Sequence, residues 1–482
     1  MLFNSSIFLF VFWPVTLLVT WALSKWWKVA AAQGFLVIAS LFFYGWWNSS
    51  YVVLLAGSIV VNYGLGCLML ASRGGTRTAW LVLGIVLNLG LLAYYKYWGF
   101  LCTNFGSGPP METIVLPLAI SFFTFTQITY LADIRSGKIE SNGFLDYVLF
   151  VAFFPHLIAG PIVHHRQLIP QFREPEALRP TLAGIVPGLA LFILGLSKKM
   201  LVADLFAPYA DQVFQQAATG SGVPMLQAWY GIAAYALQIY FDFSAYSDMA
   251  LGIAMTFHLR FPVNFFSPYK AASVIDFWRR WHMTLSQFLR DYLYIPMGGS
   301  RHGLPRMLAA LMITMLIGGL WHGANWTFVF WGGLHGLFLI VNHLWLRWRK
   351  KTGRAPLPRP LGMATTFVCV LVTWVFFRAG SFSEAWTLLG SMIGLGGGGS
   401  PFPIKFWTVV LMVAGLTMVF RGPNTMQIMR HTRPAIDPVD GDEVPPRLTW
   451  ALEPRWAYVC GALLAACVIR LNQPSPFIYF QF

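Results

Sequence analysis

His322 stands in Gly318-Gly319-Leu320-Trp321-His322-Gly323-Ala324-Asn325-Trp326-Thr327, a stretch whose only ionisable side chain is its imidazole. An ionisable group at membrane depth is costly, so it is kept where it lines a cavity, pairs with a partner, or handles a proton or an acyl group. The competing reading for His322 is a plain hydrogen bond to a neighbouring helix. A second group of reactive side chains lies in Asp276-Phe277-Trp278-Arg279-Arg280-Trp281-His282-Met283-Thr284-Leu285-Ser286. Read as one helix, this run puts Asp276 beside Arg280 and His282 beside Ser286. A carboxylate paired with Arg280 leaves Arg279 to meet an anion, either lipid phosphates or a phosphate-bearing donor such as a coenzyme at a cytoplasmic mouth. His282 lies 40 residues before His322, so only the tertiary fold can bring the two imidazoles together.

Other polar residues stand where lipid would reject them: Asp242, Ser244, Ser247 and Asp248, and His156 between Pro155 and Pro161. They read either as glue between helices and support for a broken helix, or as marks of a transport path. His335, 13 residues past His322, falls on another helical face and reads as structural. The soluble catalytic signatures GxSxG, P-loop and HExxH are absent. The cysteines Cys67, Cys102, Cys369, Cys460 and Cys467 have neither CxxC nor zinc spacing, so neither a disulfide framework nor a metal site is indicated.

The elements that must position these groups are membrane helices. Of the 482 residues 57% are hydrophobic and 11% charged, against roughly 25% charged in an ordinary soluble domain. Spans are predicted at 7–23, 30–47, 52–71, 79–101, 115–132, 144–160, 183–203, 226–257, 307–320, 326–346, 361–377, 405–420 and 456–469, which makes about 11–13 transmembrane or re-entrant helices. The run Ile7 to Leu23 has no basic region before it and no A-x-A site after it, and reads as a retained first span. Residues Phe261 to Arg301 are too polar to cross lipid and too apolar for a free loop, and are expected as helices dipping into or lying along the cytoplasmic face. Gly396 to Pro401 reads as a flexible break and Asp437 to Pro446 as an exposed acidic loop. The net charge of +15 comes from cations in short loops, which is a matter of topology and not of nucleic-acid binding. Basic loops holding Lys25 and Lys28, Arg73 and Arg77, and Arg135 and Lys138 alternate with loops lacking Lys and Arg, which puts the N-terminus outside. Arg421, Arg430 and Arg433 before the last span put the C-terminus outside as well. There Phe477-Ile478-Tyr479-Phe480-Gln481-Phe482 is either an interfacial aromatic belt or part of a mechanism.

Phe277 to Ser286 with Leu289-Arg290-Asp291-Tyr292, followed by Gly319 to Trp326, closely resemble the membrane-bound O-acyltransferase (MBOAT) family, in its bacterial alginate O-acetyltransferase branch. Phe154 to Pro161, Tyr240 to Ser244, Tyr246-Ser247-Asp248 and Pro476 to Phe482 are similar to that branch too, so the resemblance covers nearly the whole chain. It implies an all-α polytopic membrane protein around a central tunnel, a single MBOAT-like membrane domain over 1–482 ending in the aromatic tail motif 477–482. It implies that His322 is catalytic, that His282 assists, and that Tyr479 is a covalent acyl carrier. Arg279, Arg280 and Trp278 are expected at a mouth for acetyl-CoA, the acyl donor, with no tightly bound cofactor. The implied activity moves acetyl from cytoplasmic acetyl-CoA across the bacterial inner membrane for O-acetylation of an exported polysaccharide, alginate or bacterial cellulose. Periplasmic acetyltransferase proteins and the polysaccharide synthesis and export complex are the implied partners, besides the lipid bilayer. Related proteins acylate peptidoglycan or teichoic acid. A non-enzymatic transporter is the alternative; against it, the polar residues concentrate in about 240–335 and no internal repeat is visible.

Overall fold

The computed structural model describes residues 1–106, 114–140, 143–174, 176–396, 405–437, 444–473, 475, 477 and 478, and these are helical with no strand among them. Helix follows from the composition, because backbone groups surrounded by lipid must find their partners within the segment. Among the described residues seven helices are long and apolar enough to cross a membrane: Phe8–Trp26, Ser50–Ala71, Gly74–Phe105, Leu182–Ala218, Leu304–His322, Trp326–Thr352 and Arg359–Arg378. Val29–Gly45 and Phe406–Phe420 are shorter apolar helices. Met225–Thr256 runs for 32 residues and carries Asp242 and Asp248 in a mostly buried stretch.

The expected all-α polytopic class stands, with several boundaries moved. The span expected at 183–203 continues to Ala218, and the helix expected from 115 starts at Ile120. The segment expected at 144–160 is interrupted: Phe144–Ala152 ends, Phe153 turns the chain with ψ 115°, and Phe154–Leu157 follows. Pro155 sits in the first turn of that short helix, where its missing N–H costs nothing. His165–Phe172 and Phe382–Met392 were not anticipated, since both are too short and mixed to read as spans. Most of Gly396–Pro401 and of the acidic loop lies outside the described residues, as do residues 107–113.

The chain packs as two units. The first comprises Met1–Leu196, Tyr246–Val263 and Met429–Gln473. Phe3, Phe8, Phe12, Phe43 and Phe154 interlock at its centre, with ring centroids 4.9–6.2 Å apart. Its helices are also tied by polar pairs, a buried one in which Asn88 Nδ2 donates to Asn62 Oδ1 at 2.6 Å and a part-buried one in which Gln127 Nε2 donates to Ser58 Oγ at 3.0 Å. Such bonds hold membrane helices where no hydrophobic driving force separates protein from lipid.

The second unit comprises Ser197–Ala245, Asn264–Ile428 and Pro474–Phe482. Its principal pairing is between Leu304–His322 and Trp326–Thr352. Small residues permit the close approach: a Cβ on Gly319 would overlap the Phe328 carbonyl oxygen, and one on Gly332 the Met315 carbonyl oxygen. Backbone meets backbone at this crossing, which fixes the relative placement of the residues at the hairpin's closed end.

Candidate active site

His322 is the last residue of the Leu304–His322 helix. Gly323 then turns extended, and Asn325 caps the next helix, its Oδ1 accepting the Thr327 N–H at 3.1 Å while its Nδ2 donates to the Gly380 carbonyl at 2.9 Å. The Trp-His-Gly-Ala-Asn-Trp run is thus a helix end, a turn and a cap in sequence, which presents the imidazole at a fixed height. Its ring is 5% exposed and is held edge-on by Trp331 at 5.1 Å and Phe377 at 5.2 Å, with its own neighbour Trp321 at 4.9 Å.

His282 arrives on a different kind of element. The run expected as one helix over 276–286 is two, Val274–Trp278 and Met283–Leu289, and His282 caps the second with φ 42° and ψ 53°. A non-glycine residue in this left-handed region costs roughly 1–2 kcal/mol, and the surroundings enforce it. The Met283 N–H donates to the Asn264 carbonyl at 2.9 Å, and the Phe266 N–H donates to the Arg280 carbonyl at 2.9 Å. Past the break the Ser286 N–H donates to the His282 carbonyl at 3.0 Å, while the Ser286 hydroxyl donates to the Trp281 carbonyl at 3.4 Å. Asp276 and Arg280 do pair as predicted, Nε to Oδ1 at 2.8 Å.

Asn264 also sets the protonation of His282. The Thr284 backbone N–H, which can only donate, lies 3.4 Å from Asn264 Oδ1, and Thr284 Oγ1 lies 3.0 Å from the same atom. The amide oxygen therefore faces His282 Nδ1 at 3.0 Å, so Nδ1 carries the proton and Nε2 the lone pair. Complete burial pushes the imidazole pKa down from 6.5 to about 3, which keeps the ring neutral and basic in form.

The fold brings the two histidines to one ring. Trp321 lies 6.4 Å from His282 and 4.9 Å from His322, centroid to centroid. Phe243 closes the other side of His282 at 4.8 Å. His335, expected to be structural, stands behind Trp331 at 4.8 Å and accepts a hydrogen bond at Nδ1 from Trp278 Nε1 at 3.3 Å. Trp331 Nε1 and His335 Nε2 are buried donors without an acceptor among the described residues. An unmet buried donor costs about 1–3 kcal/mol, so this corner suits an oxygen-rich group. Chemically, the arrangement offers the neutral His282 imidazole and the His322 imidazole in aromatic surroundings, a setting suited to taking a proton from a weakly acidic hydroxyl.

The remaining predicted residues separate. Trp278 is buried against His335, whereas Arg279 is exposed and Arg280 part-buried. The charges of Arg279 and exposed Arg347 both bear on His343, marking a basic surface. Tyr479 lies outside the described residues. Reasoning from sequence passed over Asn264, Trp331, Phe377 and Lys199. Asn264 had a usable signal as a lone polar residue among apolar neighbours and Lys199 as half of the Lys198-Lys199 pair inside a predicted span, while the aromatics had none in a chain with 17% aromatic residues. No cluster of three or more histidine, cysteine or acidic side chains able to hold a metal ion occurs among the described residues.

The sequence model of the membrane-bound O-acyltransferase family matches residues 111–379, which contain His282, His322 and His335. A peptidoglycan O-acetyltransferase of Helicobacter pylori is 42% identical over 428 residues, covering 82% of this chain and 80% of the relative. A probable alginate O-acetylase of Azotobacter vinelandii is 36% identical over 531 aligned residues, covering 100% of both chains. A teichoic acid D-alanyltransferase of Streptococcus thermophilus is 26% identical over 292 residues, covering 56% of this chain and 69% of the relative.

Proposed function

The chain belongs to the membrane-bound O-acyltransferase family and is a membrane O-acyltransferase, and on that premise we propose that it carries acetyl from cytoplasmic acetyl-CoA across the bacterial inner membrane to hydroxyls of an exported polysaccharide. The observation that carries this reading is the pairing of two buried histidines on the single Trp321 indole. His322 is the base and His282, held as the Nε2 lone-pair tautomer, orients the donor or the acyl acceptor.

Tyr479 is the acceptor within the chain. His322 takes the phenolic proton, the phenolate oxygen attacks the thioester carbonyl, and the C–S bond breaks with the coenzyme thiolate as leaving group. The resulting aryl ester is activated for onward transfer, because phenolate, with a pKa near about 10, leaves more readily than a sugar alkoxide. A periplasmic acetyltransferase partner then moves the acetyl to the polymer. Arg279 and Arg280 suit the phosphates of the coenzyme through the guanidinium fork. Loop charges support the orientation, with basic loops in the cytoplasm and both termini outside.

The acceptor polymer is a glycan by analogy with the alginate and peptidoglycan relatives. Alginate is the first reading, and the identity of 42% to the Helicobacter protein favours peptidoglycan as the second. Deleting the gene in its host and measuring ester-linked acetate separately in secreted polysaccharide and in peptidoglycan identifies which of them loses it. In the same host, Tyr479→Phe keeps the ring and removes the hydroxyl; loss of acetylation is expected, together with an acetyl group on Tyr479 of the wild-type protein by mass spectrometry. Wild-type acetylation in Tyr479→Phe would eliminate the carrier step.

A further inference from the structure

Lys199 lies in the Leu182–Ala218 helix with its side chain 5% exposed. An ammonium so far from water needs compensation, and its partners therefore carry information. Its Nζ stands 2.8 Å from Asp204 Oδ1 and 2.6 Å from Asp242 Oδ1. One carboxylate would neutralise it, yet two are present, and the second oxygen of each is turned to the C-terminal segment. Ser475 Oγ donates to Asp204 Oδ2 at 2.5 Å, and the Ile478 backbone N–H donates to Asp242 Oδ2 at 2.9 Å. Phe477 and Ile478 are both buried. The Phe477 ring rests 6.3 Å from Phe243, the same ring that closes on His282 at 4.8 Å.

Chain termini are ordinarily loose, because few contacts offset the entropy of ordering them. This one is held by side chain and backbone at two points, and a single phenylalanine separates it from His282. We propose that Lys199, Asp204 and Asp242 form an ion-paired dock for the C-terminal segment, and so act as positioning residues for the acyl-carrying Tyr479 that follows Ile478, an inference that rests on the carrier reading above. The excess carboxylate is what makes the dock: the Lys199 ammonium balances one aspartate, and the second oxygens of both acids accept donors that the tail supplies, the Ser475 hydroxyl and the Ile478 amide. Helix glue alone would need no second acid and no acceptor directed at the Ile478 amide.

The test places a thiol in the segment. Ile478→Cys keeps the backbone N–H, and its modification by a maleimide in native membranes is read by mass spectrometry of the C-terminal peptide. Slow labelling is expected in that background, rising at least tenfold when Asp242→Ala is added and a few-fold when Ser475→Ala is added. Asp242→Ala leaves Lys199 paired with Asp204 and is charge-balanced; should it fail to fold, Asp204→Asn and Ser475→Ala carry the same measurement. Without the thiol, Asp242→Ala should lower kcat for acetyl transfer at least tenfold and leave the KM for acetyl-CoA unchanged, a split that general loosening of the protein would not produce. Equal labelling with and without the dock residues overturns the proposal, as does wild-type kcat with an exposed tail. Full transfer in Tyr479→Phe, with the thiol introduced by Ile478→Cys still protected, overturns the carrier reading alone and supports the dock.

Discussion

In the first unit the chain breaks at Phe153 and resumes with Pro155 and His156, whose ring packs edge-on against Phe261 at 5.5 Å and against Phe153 at 6.3 Å. In the second unit it breaks between Trp278 and Met283, and again at Gly323, leaving His282 and His322 at the two breaks. All three histidines are buried among aromatic rings. What differs is company: His282 and His322 share Trp321, and His282 has its tautomer fixed by Asn264. A buried histidine at a broken helix is therefore weak evidence of chemistry by itself. Two on one ring, one with a defined lone pair, form the arrangement that the proposed proton transfer uses.

Exchanging residues between these two settings should break that contrast most sharply. His322→Ala is expected to reduce acetyl transfer by about 10² to 10⁴, while His156→Phe, which keeps a ring against Phe153 and Phe261, should stay within a few-fold per folded molecule; equal losses at both positions would erase the distinction. Next in size is Asn264. Asn264→Leu should cost on the order of tenfold by freeing the imidazole. Asn264→Asp should retain more activity and move its acid limb: a carboxylate beside Nδ1 favours the imidazolium and raises the His282 pKa from about 3, so activity falls away at a higher pH than in the wild type. An unmoved pH profile in Asn264→Asp would remove His282 from proton handling. Smaller is the effect of Arg279→Lys, expected to raise the KM for acetyl-CoA a few-fold with kcat kept, since lysine keeps the charge and loses the fork; an unchanged KM would leave only a lipid-facing basic patch. Smallest is Asn88→Leu in the first unit, expected to lower thermal stability by about 0.6–1.7 kcal/mol by removing its interhelical hydrogen bonding with Asn62, with activity per folded molecule unchanged.

How much of this was legible beforehand differs by element. Long helices such as Ser50–Ala71 and Arg359–Arg378 were placed to within a few residues, because twenty apolar residues in lipid have one economical backbone. The Asp276–Arg280 pair was legible as well, since both residues lie on one local turn. The same local reasoning failed just beyond it, where periodicity extended the helix through His282. The left-handed turn there is held by Asn264 and Phe266, and contacts of that kind leave no trace in local spacing.

His322 stood out as a candidate from residue type alone, as the single ionisable group of an apolar stretch, and composition by itself determined that the chain is a polytopic helical membrane protein. Tertiary structure alone decided which polar residues work together. His282 meets His322 across Trp321, Asn264 selects the His282 tautomer, and Lys199 finds Asp242 and, through it, the C-terminal segment. The reason is physical: hydrophobic patterning acts along the chain with a helical period and can be read from it, whereas a hydrogen bond or ion pair between distant residues depends on how helices cross, and that is set by close-packed contacts such as Gly319 against Phe328.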